Sequence, residues 1–226
     1  MPRKSLDSNT KSFNKTQLNV FQYVRKKWYY MRMKRIIEVE KFANKNVSKL
    51  AAWEVFHLEI LHNKLKSEFM DEAMVFITKT GNGAMVWICA ALVMMLIEPT
   101  FKDGYIMMIA LLMCVMFGNL ILKNIVRRNR PFFHKRYKLL IKTPWDFSFP
   151  SGHTLSSFAA ATVIFLTNPW CGIVAYIYAA LIALSRLYLR VHFFTDVGFS
   201  ILTGIILGNL AAWAFGTGFF SFLPGV

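Results

Sequence analysis

Five long apolar runs, each nearly free of charged side chains, constrain the fold of this chain more than any other feature. Of its 226 residues, 55% are hydrophobic, above the roughly 45–50% of a soluble domain. Apolar runs of about 20 residues are typical of helices that cross a bilayer, where every backbone polar group must be satisfied internally. The sequence therefore predicts an all-α integral membrane bundle of about five transmembrane helices, at about 74–97, 105–122, 153–167, 172–189 and 195–215.

Lysine and arginine are concentrated in two stretches outside these runs. Residues 1–50 contain 13 of the 27 against 3 acidic residues, and residues 123–142 contain 8 and no acid. The net charge of +15 is therefore a property of two segments. Next to apolar runs, such segments favour anionic lipid head groups and phosphate substrates as partners, rather than nucleic acid.

The charge pattern divides the chain into a basic N-terminal extension (1–49), a membrane domain (50–215) and a short apolar tail (216–226). Basic and aromatic side chains are interleaved from residue 20 onward, which favours a helix on an anionic membrane surface. A solvated basic extension is the alternative interpretation. Residues 50–70 are too charged to cross a bilayer and predict an amphipathic helix that lies in the interface.

The stretch 185–196, between the fourth and fifth runs, carries ionisable side chains at a position where they are costly. His192 and Asp196 are four residues apart, which on a helix places them on one face. An aspartate that accepts the Nδ1 proton of a histidine leaves Nε2 free as a base or nucleophile. Arg186 adds a planar group suited to phosphate oxygens. A structural ion pair at a helix end is the alternative.

Two further polar clusters lie at the ends of other apolar runs. Lys123 and Arg130 follow the second run, and the Ser-Gly-His sequence at 151–153 opens the third. Each pair of spans between the clusters returns the chain to the same side, so we expect all three to meet at one face of the bundle. Taken alone, Lys123 and Arg130 read as membrane-surface charges, like the arginines at 127 and 128 beside them.

With these spacings the sequence resembles the type 2 phosphatidic acid phosphatase family, the membrane relatives of the vanadium haloperoxidases. Three signatures of that family occur in order within about residues 65–212: Lys-x6-Arg-Pro from Lys123, Pro-Ser-Gly-His from Pro150 and Ser-Arg-x5-His-x3-Asp from Ser185. The chain departs from the family in two respects. It has Phe193-Phe194 where many members have an aromatic-Pro pair, and we count five spans where many have six.

The resemblance implies a role for each matching residue. His192 would attack phosphorus and form a phosphohistidine, with Asp196 orienting it, and His153 would protonate the leaving oxygen and then activate water. The other matching residues would hold the phosphate oxygens: Lys123, Arg130, Ser151, Gly152 and Arg186. Three fixed cations can replace a magnesium ion, so the resemblance implies no metal and no cofactor.

The resemblance predicts a phosphatase that hydrolyses a membrane lipid phosphate, of the phosphatidate, phosphatidylglycerophosphate or undecaprenyl pyrophosphate type. Two alternatives are a non-hydrolytic binder or transporter of lipid phosphates and a vanadate-dependent haloperoxidase-like enzyme. A binder would need the cations but not both histidines and Asp196, so their joint presence favours turnover. The many apolar runs argue against the haloperoxidase.

Charge also predicts the orientation of the chain in the cell membrane. With five spans, the basic N-terminal extension and the segment 123–142 lie on the same side as the polar clusters. The loops on the opposite side contain a single basic residue, Lys102. The positive-inside rule then places the clusters in the cytoplasm. Family members that recycle lipid carriers act on the outer face, which is the alternative.

Overall fold

The computed structural model describes residues 49–135 and 138–216, with side chains to residue 214, and no strand occurs in this part of the chain. It contains nine α-helices: α1 Lys49–Leu65, α2 Glu68–Thr80, α3 Met85–Met95, α4 Phe101–Cys114, α5 Lys123–Val126, α6 Pro131–His134, α7 Gly152–Thr167, α8 Pro169–Tyr188 and α9 Phe194–Gly216. A π-helix, Val115–Leu122, joins α4 to α5. The predicted all-α membrane bundle is confirmed.

Three helical segments in the described residues are long and apolar enough to cross a membrane: Glu98–His134, Pro169–Tyr188 and Phe194–Ala214. The pair α2 and α3 forms a fourth if its two halves, bent by 50°, count as one span. The remaining predicted span, 153–167, corresponds to α7, which has 16 residues. At 1.5 Å per residue it is about 24 Å long, shorter than a hydrocarbon core of about 30 Å.

Helix α7 is the centre of the bundle. All ten of its residues from Thr154 to Val163 are buried, so the helix is enclosed on every side rather than amphipathic. Small side chains let its neighbours approach closely. A Cβ added at Gly204 or Gly208 of α9 would lie 2.6 or 2.7 Å from a backbone oxygen of α7. Because this packing surrounds α7 with protein, the helix does not need to be as long as the hydrocarbon core is thick.

Helix α1 agrees with the helix predicted over residues 50–70, and one of its faces is covered. Glu54, Leu58 and His62, spaced at four-residue intervals, are buried, whereas Trp53 and Phe56 are exposed. The imidazole Nδ1 of His62 lies 3.1 Å from the Tyr188 carbonyl oxygen at the end of α8. This contact joins residues 126 positions apart in the sequence.

The segment 123–150 contains two short helices, α5 and α6, before an irregular stretch that leads to α7. The basic N-terminal extension and the apolar tail lie outside the described residues, except for Lys49 and Gly216. The surface helix expected near residues 20–50, and its binding of anionic lipids, therefore stay predictions.

Candidate active site

A cavity of about 890 Å³ opens where the polar clusters meet. Six of the eight predicted site residues line it: Lys123, Arg130, Gly152, His153, Arg186 and His192. Their elements are far apart in sequence, because the clusters begin α5, α6 and α7, close α8 and precede α9. The span counting that predicted one common face for the three clusters agrees with this arrangement.

The same cavity also has apolar side chains in its lining, among them Val75, Ile88, Met108, Leu111, Leu112 and Val115. Leu112 and Val115 are also 60% and 45% exposed on the outside of the bundle. In a membrane-spanning helix such exposed side chains face lipid. The cavity therefore combines cationic side chains with apolar ones, two of which belong to residues that also face lipid, and this matches the two parts of an amphiphile with a phosphate head.

His192 is held in one orientation by contacts at both ring nitrogens. Nδ1 lies 2.7 Å from the Ser148 carbonyl oxygen, which can only accept a hydrogen bond, so Nδ1 carries the proton. Nε2 lies 3.1 Å from Arg130 Nη1, which can only donate. Nε2 therefore keeps its lone pair beside a cation in the cavity, as a nucleophile requires.

The pKa of His192 is lowered well below the usual value of 6.5. Burial is the main cause, because the side chain has no water to solvate a positive charge, and Arg130, Arg186 and Lys123 add repulsion. His192 is thus a neutral imidazole at neutral pH.

Asp196 does not accept the His192 proton directly, and this corrects the sequence interpretation. The two residues do not share a helix face, because His192 lies in the turn before α9 and Asp196 in its first turn. Asp196 Oδ2 is 3.7 Å from His192 Nδ1. It accepts hydrogen bonds from the Ser148 hydroxyl and from the Phe193 backbone N–H. Ser148 therefore lies between the carboxylate and the imidazole, and its carbonyl oxygen accepts the hydrogen bond from Nδ1–H.

Asp146 is a site residue that the sequence analysis missed. Its carboxylate forms ion pairs with Lys123 and with Arg130, and its backbone oxygen accepts from Arg130 Nε at 2.9 Å. Burial alone would raise the pKa of Asp146, but Arg130 and Lys123 outweigh it and hold the pKa at about 2. One signal was available, since Asp146 is the first acidic residue after the basic segment.

Arg186 lies at the end of α8 with its side chain buried. Its Nη1 donates to the Thr78 hydroxyl of α2. Its Nε is buried without a hydrogen-bond partner among the described residues. A buried donor of this kind is costly unless a ligand satisfies it. Arg186 therefore has an unused N–H at the cationic end of the cavity.

His153 contacts the break between α2 and α3. Its Nε2 lies 3.0 Å from Asn82 Oδ1, and since the amide oxygen accepts, Nε2 carries the proton. A Cβ added at Gly81 would approach His153 Cδ2 to 3.0 Å, so the ring needs a glycine beneath it. The sequence contains a sign of this break, the polar Gly-Asn-Gly stretch near the start of the first apolar run. It contains no sign that the break contacts His153.

Ser151 has a different environment from the one that the resemblance implies. The residue is buried and does not line the cavity. Its hydroxyl lies 2.9 Å from the Thr154 hydroxyl, and its N–H donates to the Ser200 hydroxyl at 2.8 Å. Ser151 precedes the first residue of α7 and ties this end to α9. In this geometry the backbone at Gly152, not the Ser151 side chain, borders the cavity.

No cluster of three or more His, Cys, Asp and Glu side chains suited to a metal ion occurs within the described ranges. The cations at the polar end of the cavity are protein side chains.

A sequence model of the PAP2 superfamily matches residues 103–219, just over half of the chain. The chain belongs to the PAP2 superfamily. The resemblance drawn from the three signatures is thereby confirmed, and this PAP2 protein is a phosphatase, a hydrolase of phosphoric esters or diphosphates.

Relatives of this PAP2 protein agree with that assignment. It is 33% identical to an undecaprenyl-diphosphatase of Sulfolobus acidocaldarius over 69% of this chain and 72% of the relative. Its fold is similar to that of LpxE from Aquifex aeolicus, with a TM-score of 0.62 at 23% identity over 71% of this chain and 94% of the other. It is also similar to a transmembrane PAP2-type phosphatidylglycerolphosphate phosphatase from Bacillus subtilis, with a TM-score of 0.59 at 22% identity over 85% and 96%.

Proposed function

We propose that this protein removes phosphate from a membrane lipid, with a polyprenyl diphosphate as the first candidate substrate and phosphatidate or phosphatidylglycerophosphate as the next. The observation that carries the proposal is the Nε2 lone pair of His192 beside Arg130, in a cavity lined by both cationic and apolar side chains. The undecaprenyl-diphosphatase relative supports a diphosphate head, and the exposed Leu112 and Val115 support a lipid tail that stays in the bilayer.

The reaction proceeds in two steps. His192 Nε2 attacks phosphorus while the bond from phosphorus to the leaving oxygen breaks. His153, protonated on both ring nitrogens when the phosphate dianion is bound, gives its Nε2 proton to that oxygen and becomes a neutral imidazole. In the second step His153 takes a proton from water, the water oxygen attacks the phosphohistidine, and inorganic phosphate leaves. Asp196 acts through Ser148, which holds the Nδ1 proton and keeps the ring aligned.

Three cations stabilise the charge that grows on the phosphate oxygens: Lys123, Arg130 and Arg186. Arg186 offers its unpartnered Nε, and the backbone N–H of Gly152 at the start of α7 adds the partial positive charge of a helix N-terminus. Lys123 and Arg130 are bound to Asp146 before substrate arrives. The phosphate therefore displaces the Asp146 carboxylate from both.

The test is phosphate release in detergent with EDTA, from farnesyl diphosphate, phosphatidate, phosphatidylglycerophosphate and the soluble p-nitrophenyl phosphate. We expect release from the lipids by the wild type and none above background by His192→Ala. His57→Ala is the matched control, since His57 is half-buried, does not line the cavity and makes its ring contacts with Trp53 and Phe56 of its own helix. A ³²P label on the protein after an alkaline quench, absent in His192→Ala, would identify the phosphohistidine.

Two results would contradict the proposal. A folded wild type that releases phosphate from none of the lipids excludes lipid phosphate hydrolysis and favours a binder. Release by His192→Ala at the wild-type rate means that another group is the nucleophile.

We further propose that the protein lies in the cell membrane with the site facing the cytoplasm. Glu54 of α1 is hydrogen-bonded to Arg128 and Thr195, which supports α1 lying on the side of the site. The basic segment 123–142 shares that side. The positive-inside rule then favours the cytoplasm for this face.

Cysteine accessibility tests the orientation. Cys89 and Cys171 are exposed and would be replaced by serine, whereas Cys114 is buried. In intact cells an impermeant thiol reagent is expected to label Lys102→Cys at the start of α4, on the opposite side, but Ser5→Cys only after lysis. Labelling of Ser5→Cys in intact cells would place the site on the outer face.

A further inference from the structure

Glu54 of α1 is a buried charge in a part of the chain that the family match, residues 103–219, does not include. Its exposed fraction is 0%, although the helix around it carries exposed Trp53 and Phe56. A carboxylate is almost never buried completely unless it is paired, because losing its hydration costs several kcal/mol. Glu54 must therefore have partners that compensate this cost.

The partners of Glu54 border the catalytic loop rather than its own helix. Oε1 accepts from both the backbone N–H and the hydroxyl of Thr195, each at 2.8 Å. Oε2 accepts from Arg128 Nη2 at 2.6 Å. Thr195 lies one residue before Asp196 and three after His192, so α1 binds the turn that presents the nucleophile.

Arg128 joins Glu54 to the groups that hold His192. Its Nη1 donates to Asp196 Oδ1 and to the Thr195 hydroxyl, both at 2.6 Å. Its guanidinium lies 3.9 Å from the centre of the Phe193 ring. Its backbone oxygen accepts from the Ser148 N–H at 2.8 Å. One arginine thus fixes the carboxylate, the serine and the ring that surround the nucleophile.

The charges of this network are also relevant to the reaction. Within this network Arg128 is one cation between two buried carboxylates, Glu54 and Asp196, so the network has a surplus negative charge that opposes the repulsion of the cavity cations on the His192 ring. When His192 bonds to phosphorus with Nδ1 still protonated, its ring becomes cationic. The surplus charge stabilises that state more than the free enzyme, which is the requirement for a faster chemical step.

We propose that Glu54 is a positioning residue for His192, acting through Arg128 and Thr195 on Asp196 and Ser148. Neither Glu54 nor Arg128 lines the cavity, so neither touches the substrate. Helix α1 is accordingly part of the catalytic apparatus and not only an interfacial helix. This inference rests on the proposed function, since it assumes that His192 is the nucleophile.

The experiment compares Glu54→Gln and Glu54→Ala with Glu59→Gln in the lipid phosphate assay. Glu59 is on the same helix and pairs with Lys135, outside the cavity. For both Glu54 variants we expect kcat to fall about 10- to 100-fold, as for lost outer-shell contacts that misalign a reacting group. KM and inhibition by inorganic phosphate should stay within about twofold of wild type, because Lys123, Arg130 and Arg186 still bind phosphate. Glu59→Gln should match wild type.

Glu54→Gln keeps the shape of the side chain, so it separates charge from packing if Glu54→Ala fails to fold. A thermal unfolding curve in detergent checks that each variant is folded at the assay temperature. Wild-type kcat in folded Glu54→Gln and Glu54→Ala would overturn the proposal, as would a loss confined to KM or to phosphate inhibition. A wild type without activity, or an active His192→Ala, would instead refute the proposed function, so the two failures are distinguishable.

Discussion

Asp146 binds the two cations, Lys123 and Arg130, that we expect to hold the substrate phosphate. With a pKa of about 2 it stays ionised at any assay pH, so it competes with phosphate for both partners. Its side chain is 32% exposed, and such a partly exposed pair contributes about 1 kcal/mol or less. An internal competitor of this strength is displaced readily by a dianion, and it keeps the cations paired when the cavity is empty.

We predict that Asp146→Asn binds inorganic phosphate more tightly. The inhibition constant of phosphate should fall roughly three- to tenfold, which is the loss of one or two pairs of this strength. The thermal midpoint should be lower than that of wild type without phosphate and rise more when phosphate is added. Glu59→Gln, which also loses a lysine pair, is the control. Weaker phosphate inhibition in Asp146→Asn would mean that Asp146 helps to bind the anion.

His192 makes folding stability depend on pH. Its pKa is lowered in the folded state, so the unfolded chain takes up the proton first and stability is lost as pH falls below about 6.5. The predicted loss is about 1.4 kcal/mol per pH unit for one such proton. His192→Asn removes this contribution, so its thermal midpoint should fall less than that of wild type between pH 7.5 and pH 5. His57→Asn is the control, and parallel curves for wild type and His192→Asn would refute the prediction.

At the scale of elements, the ends and breaks of helices position the side chains of the site. The π-helix Val115–Leu122 directly precedes Lys123, and such wide turns occur often at functional sites. The break after α2 brings Asn82 to His153. Residues Gly83 and Ala84, with φ of 59° and 57°, turn the chain into α3. A regular helix through this span would carry Asn82 past His153.

Gly81→Ala tests the break without straining the backbone, because φ at Gly81 is −79°. The new methyl would lie 3.0 Å from His153 Cδ2 and displace the ring from the leaving oxygen. We expect kcat to fall about tenfold or more, since small misplacements of a reacting group are costly. In Gly198→Ala the methyl meets nothing within 4 Å, so activity should be kept. An active Gly81→Ala would show that the His153 ring tolerates the shift.

At the scale of the whole molecule, the site depends on how closely α7 and α9 pack. A Cβ at Gly204 would lie 2.6 Å from the Leu155 backbone oxygen, which cannot move without moving α7. We predict that Gly204→Val lowers the free energy of unfolding by about 1–3 kcal/mol, the usual range for overpacking, and lowers activity because the two helices carry His153 and Asp196. Thermal unfolding in detergent measures this, with Gly198→Val as control. An unchanged thermal midpoint of Gly204→Val would mean that α7 and α9 accommodate the larger side chain without loss of stability.

Much of this molecule could be predicted before any coordinates. Apolar runs predicted a helical membrane bundle, because lipid leaves the backbone no other way to satisfy its polar groups. Three spaced signatures predicted the family and six residues of the cavity wall. The short apolar run that forms α7 was harder to interpret from the sequence. A helix enclosed by protein need not match the thickness of a bilayer, so its length does not show whether it spans the membrane.

The sequence by itself determined the fold class, the family and the residues that meet at the cationic end of the cavity, because periodicity and motif spacing are local properties of the chain. Only the tertiary structure decided which groups hold those residues. Asp146, Ser148, Arg128 and Glu54 act through contacts that join positions up to 141 residues apart. An isolated acidic or basic residue carries no local sign of such a partner. The partner is set by how the helices pack, which is why Arg128 read as a surface charge in the sequence and is an ion-pair bridge in the fold.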